Sequence, residues 1–178
     1  MATDEEFFQG RLDSIAALRS AVPLPVLRYD FIIDPYQVYE TRAAGADAIV
    51  LMANCLDISQ LFDLQILAAR LNLTCLIEVH DIQNLMRVRD HVIGFPHRKY
   101  SLLVISNRNP QTWASDLGTT LRLAELVEDR RVLVSAGGIS SAADVGKLAA
   151  AGVKAAMVGQ TLLRSSNIAQ RVRDMFGP

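Results

Sequence analysis

The chain predicts an α/β fold of repeated βα units around a parallel sheet, and three observations carry that prediction. Apolar runs too short for helices alternate with longer stretches of helical period. The starts of these runs recur every 22 to 31 residues, room for a strand, a returning helix and two short loops. The phrase Ala43-Ala44-Gly45-Ala46-Asp47-Ala48 returns as Ala150-Ala151-Gly152-Val153-Lys154-Ala155, a helix end, a glycine and a strand start in both places. A doubly wound sheet and a closed barrel both satisfy these observations.

Taken in order, Leu12, Ile15, Ala16 and Leu18 form one apolar face of a first helix that ends before Pro23. A strand follows over 26–31. Asp34 then caps a helix whose first position is Pro35, where proline's fixed φ suits the first turn, and Gly45 stops it. Further strands are expected over 48–53, 74–79 and 101–106. The stretch 110–115 is the longest irregular one and follows a strand, where such folds carry functional loops. A strand over 132–136 leads into a helix opened by Ser141, with Asp144 at capping-box spacing, and closed by Gly152. The sixth strand spans 155–159.

Composition narrows the function classes. With 178 residues, 51% hydrophobic and 21% charged, residues 1–178 read as a single domain with a sizeable core. The net charge of −1, from 18 basic and 19 acidic residues spread along the chain, leaves no footprint for nucleic acid or a membrane surface. Any bound anion is therefore held locally. The acidic first ten residues lack a signal-peptide core and no apolar run approaches membrane-spanning length, so a cytoplasmic location is expected. Cys55 and Cys75 lie in or beside apolar segments without metal spacing and read as buried, reduced thiols. His80, His91 and His97 show no metal-ligand spacing, so neither a metal nor a cofactor is expected.

In parallel βα folds the C-terminal strand ends converge, and polar residues there are the first place to look for chemistry. They are Arg28, Tyr29 and Asp30, then Asn54, Glu78 and His80, then Ser106, Asn107 and Arg108, then Ala136, Gly137 and Gly138, and last Gly159 and Gln160. The two final loops carry glycines where backbone amides and a helix N-terminus can approach a phosphate. The alternative is that these glycines only permit tight turns. Glu78 follows the apolar Cys75-Leu76-Ile77, and a carboxyl in a partly desolvated mouth suits acid–base work. The inert alternative pairs Glu78 with Arg28 or Arg108. Phe7 and Phe8 are expected to pack, whereas Trp113 on the irregular loop either covers a ligand or fills a groove.

Several motifs are more specific than these patterns. They are Thr3-Asp4-Glu5-Glu6-Phe7-Phe8-Gln9-Gly10, Leu27-Arg28-Tyr29-Asp30-Phe31-Ile32-Ile33-Asp34-Pro35-Tyr36-Gln37, Ile77-Glu78-Val79-His80-Asp81, Asn107-Arg108-Asn109 and Val158-Gly159. Through them almost the whole chain resembles the indole-3-glycerol phosphate synthase family. The resemblance implies an incomplete TIM-type (β/α)8 barrel with six βα units, the strands aligning with strands three to eight of the family barrel. The family's activity is a decarboxylating ring closure in tryptophan biosynthesis, acting on a carboxyphenylamino-deoxyribulose phosphate, so a phosphorylated ligand is implied.

The resemblance also marks departures. Tyr29 stands where the family has a general-acid lysine, Ser106 where it has asparagine, and Ala136 and Gly137 where it has a glutamate and a phosphate-binding serine. Gln160 replaces a serine, threonine or glutamate. Glu78, Arg108, Gly138 and Gly159 keep the family residue, leaving Glu78 as the residual acid–base group and Arg108 to orient substrate, with Gly137, Gly138, Gly159 and Gln160 around a phosphate. The glutamate and lysine of the family's first strand have no counterpart. Synthase activity by this chain alone is therefore not expected. The outer edges of the strands starting at Val26 and Ala155 would lie open, so a homo-oligomer, a partner chain or the N-terminal segment is expected to cover them.

Overall fold

Strands and helices alternate as the sequence predicts. In a computed structural model, which describes residues 1–92 and 101–177, helix α1 (Ser14–Ala21) precedes β1 (Leu27–Arg28), α2 (Pro35–Ala43), β2 (Ala48–Met52), α3 (Ile58–Arg70), β3 (Thr74–Val79) and α4 (Ile82–Val88). There follow β4 (Ser101–Ser106), α5 (Gly118–Ala124), β5 (Leu133–Ala136), α6 (Ala142–Ala150), β6 (Ala155–Met157), α7 (Gln160–Leu163) and α8 (Ile168–Phe176). His97 lies outside the described residues. No helix among the described residues is long and apolar enough to cross a membrane.

The chain divides into two compact units, Met1–Glu78 with Met86–Leu102, and Val79–Leu85 with Leu103–Pro178. In the first, β2 pairs in parallel with β1 and with β3, in a register that sets Ala48 beside Thr74 and Met52 beside Glu78. Ile49, Val50, Leu51, Cys75 and Ile77 are buried there, as near-continuous apolar strands covered on both faces must be. Ile15 of α1 packs with Val26 and Ala46. In the second unit β5 pairs in parallel with β4 and β6, aligning Ser106 with Ala136 and Ala136 with Met157. Its core holds Leu103, Ile105, Leu133 and Ile139.

The predicted helix boundaries hold for local reasons. The Asp34 carboxylate accepts from the Tyr36 amide while the Gln37 side chain accepts from the Asp34 amide, a reciprocal cap with Pro35 at the first helical position. Ser141 and Asp144 form the same device at α6. Gly45 and Gly152 end α2 and α6 at φ of 93° and 83°, a region glycine enters without steric cost.

Two expectations need correction. The strand predicted over 26–31 pairs with β2 only at Leu27 and Arg28, because Asp30 turns the chain: its backbone carbonyl accepts from the Ile32 amide and its carboxylate from the Phe31 amide. Cys75 is buried in β3, but Cys55 is exposed, since it sits in a short 3-10 turn just beyond β2.

The outer side of β1 is occupied. The Tyr29 amide donates to the Met1 carbonyl at 2.8 Å and the Thr3 amide to the Tyr29 carbonyl at 3.1 Å, so residues 1–3 run beside Tyr29 in parallel. Side chains reinforce the contact, for Thr3 Oγ1 donates to Asp30 Oδ2 at 2.6 Å and accepts from Arg28 Nε at 3.0 Å. On β6, Ala155 and Ala156 are exposed.

Candidate functional site

Glu78, near the C-terminal end of β3, is 1% exposed. Its Oε1 accepts from the Tyr29 hydroxyl at 3.2 Å. Tyr29 is held from several directions, by its two backbone bonds to residues 1–3 and by an edge-on contact of its ring with Phe8, centroids 5.4 Å apart. Phe7 and Phe8 both reach Phe31, so the expected packing of this pair is met, although Phe7 remains largely exposed. Cys55 lies close enough that the Glu78 charge, after desolvation, holds its thiol above the ordinary range.

Arg28 is not the partner of Glu78. Its guanidinium, buried with a relative exposure of 4%, donates to Asp30 at 2.8 Å, to Glu40 at 2.8 Å, to Thr41 and to the Gln37 carbonyl. Buried charge is tolerated only when paired and hydrogen-bonded, and this arginine satisfies that by tying β1 to α2 and to the N-terminal segment. It is a structural group.

In the second unit the strand ends β4 and β5 are joined by a buried polar cluster centred on Asn107. Its Nδ2 donates to Ser135 Oγ at 2.9 Å and to the Gly137 carbonyl at 2.8 Å, and its Oδ1 accepts from the Thr120 amide and hydroxyl at 3.0 and 2.8 Å. One side chain thus fixes the loop after β5 and the start of α5. Sequence reasoning placed Asn107 at a strand end without assigning this role, and the signal was there, for a polar side chain following an apolar strand needs buried partners.

Gly137 and Gly138 make the turn that Asn107 anchors, at φ of 78° and 68°. A Cβ on Gly138 would lie 2.9 Å from Ser115 Cβ, so close approach as well as conformation requires glycine there. The Gly137 amide donates to the Met157 carbonyl at 3.4 Å, and the amides of Ser140 and Ser141 both donate to Asp144 at 3.0 Å. The Ser140 amide above all holds the Asp144 carboxyl below its ordinary range. The start of α6 therefore already carries an anionic group. The glycine turn at 137–138 and Gly159 before α7, where an added Cβ would meet open space, are the remaining parts of the predicted phosphate rim. Gln160 is exposed, and Thr161 Oγ1 donates to the Ile139 carbonyl at 2.7 Å, joining the two final loops. Ser106 and Ala136, both buried, face each other in strand register, and Arg108 follows with its guanidinium over the Trp113 ring at 5.6 Å.

Comparison with known proteins bears on the family and the fold. The sequence profile of the indole-3-glycerol phosphate synthase family matches residues 1–175. The indole-3-glycerol phosphate synthase of Rhodopirellula baltica is 45% identical over 166 residues, covering 93% of this chain and 61% of the relative. That of Polaromonas naphthalenivorans is 41% identical over 178 residues, covering 98% of this chain and 64% of the relative. The chain thus spans less than two thirds of the length of these curated relatives. Among solved structures, KGPDC from Streptococcus mutans superimposes with a TM-score of 0.67 at 15% identity, covering 98% of this chain and 81% of that one. A crystal structure of the same protein as a complex gives a TM-score of 0.70, again at 15% identity. Among the described residues, six parallel strands in βα alternation, with these neighbours, make the fold an incomplete TIM-type barrel. A profile match over nearly the full chain, together with motifs that place Tyr29, Glu78, Asn107, Arg108 and Gly138 at strand ends, shows that the chain belongs to the indole-3-glycerol phosphate synthase family.

Proposed function

We propose that this chain keeps the ligand-binding rim of its family without, on its own, carrying out the family's decarboxylating ring closure. The observation that carries this reading is the 3.2 Å bond from Tyr29 to Glu78. Closing the indole ring needs a cation to promote attack on a carbonyl, with acid and base groups for dehydration. A phenol supplies a hydrogen bond but no positive charge. Ala136 offers a methyl group where the family has a second carboxylate, and groups that act as a unit do not retain proportionate activity when several are lost.

The retained Arg108, Gly138 and Gly159 support binding of a phosphorylated small molecule by a rim that has lost its proton chemistry. The two free cysteines fit the reducing, cytoplasmic setting expected from the sequence. A second reading has the chain act as a module that completes its barrel with another chain. The exposed Ala155 and Ala156 of β6 favour that reading.

The test is a turnover assay of the purified chain with the carboxyphenylamino-deoxyribulose phosphate, following indole-glycerol phosphate. No turnover is expected from the wild type. A rate in the ordinary enzyme range, about 1 per second or more, would refute the proposal. Tyr29→Lys combined with Ala136→Glu measures how much of the loss resides in these two positions, and a silent double variant places the remainder at other positions.

A further inference from the structure

The loop that follows β4 contains a conformational anomaly. Trp113 has φ of 60°, in the left-handed region that bulky side chains rarely enter. The turn imposes it: Asn109 Oδ1 accepts from the amides of Gln111 and Thr112, the Trp113 amide donates to the Asn109 carbonyl at 2.9 Å, and the Asn109 amide donates to the Ala114 carbonyl at 2.8 Å. Glycine or asparagine would meet the same backbone demand at less cost. Burial does not explain the tryptophan either, since it is 57% exposed. What the ring does contact is Arg108, whose guanidinium lies over it at 5.6 Å.

The base of this loop abuts the glycine turn. Arg108 bridges to Ser115, a Cβ on Gly138 would lie 2.9 Å from Ser115 Cβ, and one on Gly137 would lie 3.9 Å from Arg108 Cβ. Arg108 therefore leaves the backbone beside the Gly137–Gly138 turn and ends on the tryptophan. A guanidinium held over a ring face keeps N–H groups at its edge for an oxyanion, and the ring removes rotamer freedom that binding would otherwise have to remove.

We propose that Trp113 is a positioning residue, holding Arg108 ready beside the Gly137–Gly138 turn for a phosphoryl oxyanion. The inference rests on the phosphorylated-ligand reading above and adds the residue that prepares the arginine. Trp113 is the chain's single tryptophan, so tryptophan emission reports on the surroundings of this one side chain.

The test combines tryptophan emission with calorimetric titration of inorganic phosphate. In the free protein, Arg108→Gln is expected to change Trp113 emission, and identical spectra would overturn the contact. Phosphate is expected to alter wild-type emission saturably. Trp113→Gly should weaken phosphate affinity about 2- to 12-fold, the loss of one pre-ordered side chain, while the thermal midpoint stays level or rises because the backbone strain is relieved. Trp113→Phe, which restores a ring, should return affinity to within about 2-fold of wild type. A Trp113→Gly variant that binds phosphate like the wild type, or whose main effect is a lowered midpoint, overturns the inference and leaves the phosphate reading standing. Absence of phosphate binding to the wild type overturns both.

Discussion

Replacing Asn107 by leucine should be among the most costly single changes in the second unit. The substitution keeps approximate volume and removes every polar atom of the side chain. Ser135 Oγ and Thr120 Oγ1 lie 2.8 Å apart and retain each other. The Gly137 carbonyl and the Thr120 amide lose the partners Asn107 provides. Asn107, Thr120 and Ser135 are at most 2% exposed, so water cannot easily replace what is lost. An orphaned buried polar group costs about 1–3 kcal/mol; the buried Thr120 amide bears this in full and the half-buried Gly137 carbonyl only in part, which places the variant about 1–4 kcal/mol below the wild type. Against a typical domain stability of about 5–15 kcal/mol this is a large fraction. With a urea m-value of about 2 kcal/mol/M, the midpoint should fall by about 0.5–2 M in a denaturation series followed by circular dichroism. Asn107→Asp provides a second reading of the same contact: it keeps an acceptor for Thr120 but sets a carboxylate against the Gly137 carbonyl, so it should be destabilised at neutral pH and partly recover when the carboxyl is protonated. A loss below about 1 kcal/mol for Asn107→Leu would refute the claim that this side chain anchors the glycine turn.

Three further predictions concern titratable groups. In the native protein a thiol reagent should modify the exposed Cys55 and spare Cys75, which burial pushes up to about 12 and encloses in β3. Because desolvation and then the Glu78 charge raise the Cys55 thiol, Glu78→Gln should speed Cys55 modification at mildly alkaline pH, and an unchanged rate would contradict their proximity. Asp144 is held below its ordinary value of 3.8 first by the Ser140 amide and further by Ser141, so the folded state binds its proton less readily than the unfolded one. Its contribution is present above the ordinary carboxylate range and is lost as pH falls through the lowered value. The stability difference between wild type and Asp144→Asn should therefore narrow as pH falls below about 4 in an acid-denaturation series, and a difference that does not narrow at all would argue against this linkage.

The features legible in the sequence are those whose cause lies within a few residues. Asp34, Pro35 and Gln37 open α2 by bonds spanning two to three positions, Ser141 and Asp144 open α6 in the same way, and Gly45 and Gly152 close helices through their own φ. Strand placement was legible because apolar runs such as 74–79 need no knowledge of their neighbours to read as buried. Cys55 was misread for the same reason, since apolar company in sequence does not reveal that the chain has turned outward just beyond the strand.

The family motifs likewise located Tyr29, Glu78, Arg108 and the glycines, residue by residue. They did not say which groups would meet. Tyr29 and Glu78 lie 49 positions apart and touch only because β1 and β3 flank β2. Arg28 and Arg108 both stood open as partners of Glu78, but Asp30 and Glu40 surround the Arg28 guanidinium first.

By itself the sequence determined the βα alternation, the caps and the identity of the residues at the strand ends, because hydrophobic period and capping chemistry act over one or two turns of chain. Only the tertiary structure decided that residues 1–3 line the edge of β1, that Asn107 anchors the Gly137–Gly138 turn and that Trp113 takes up Arg108. Those choices depend on which hydrogen-bonding and charged groups reach one another once the core has closed, and buried polar groups accept whichever complete set of partners the packed strands bring within reach.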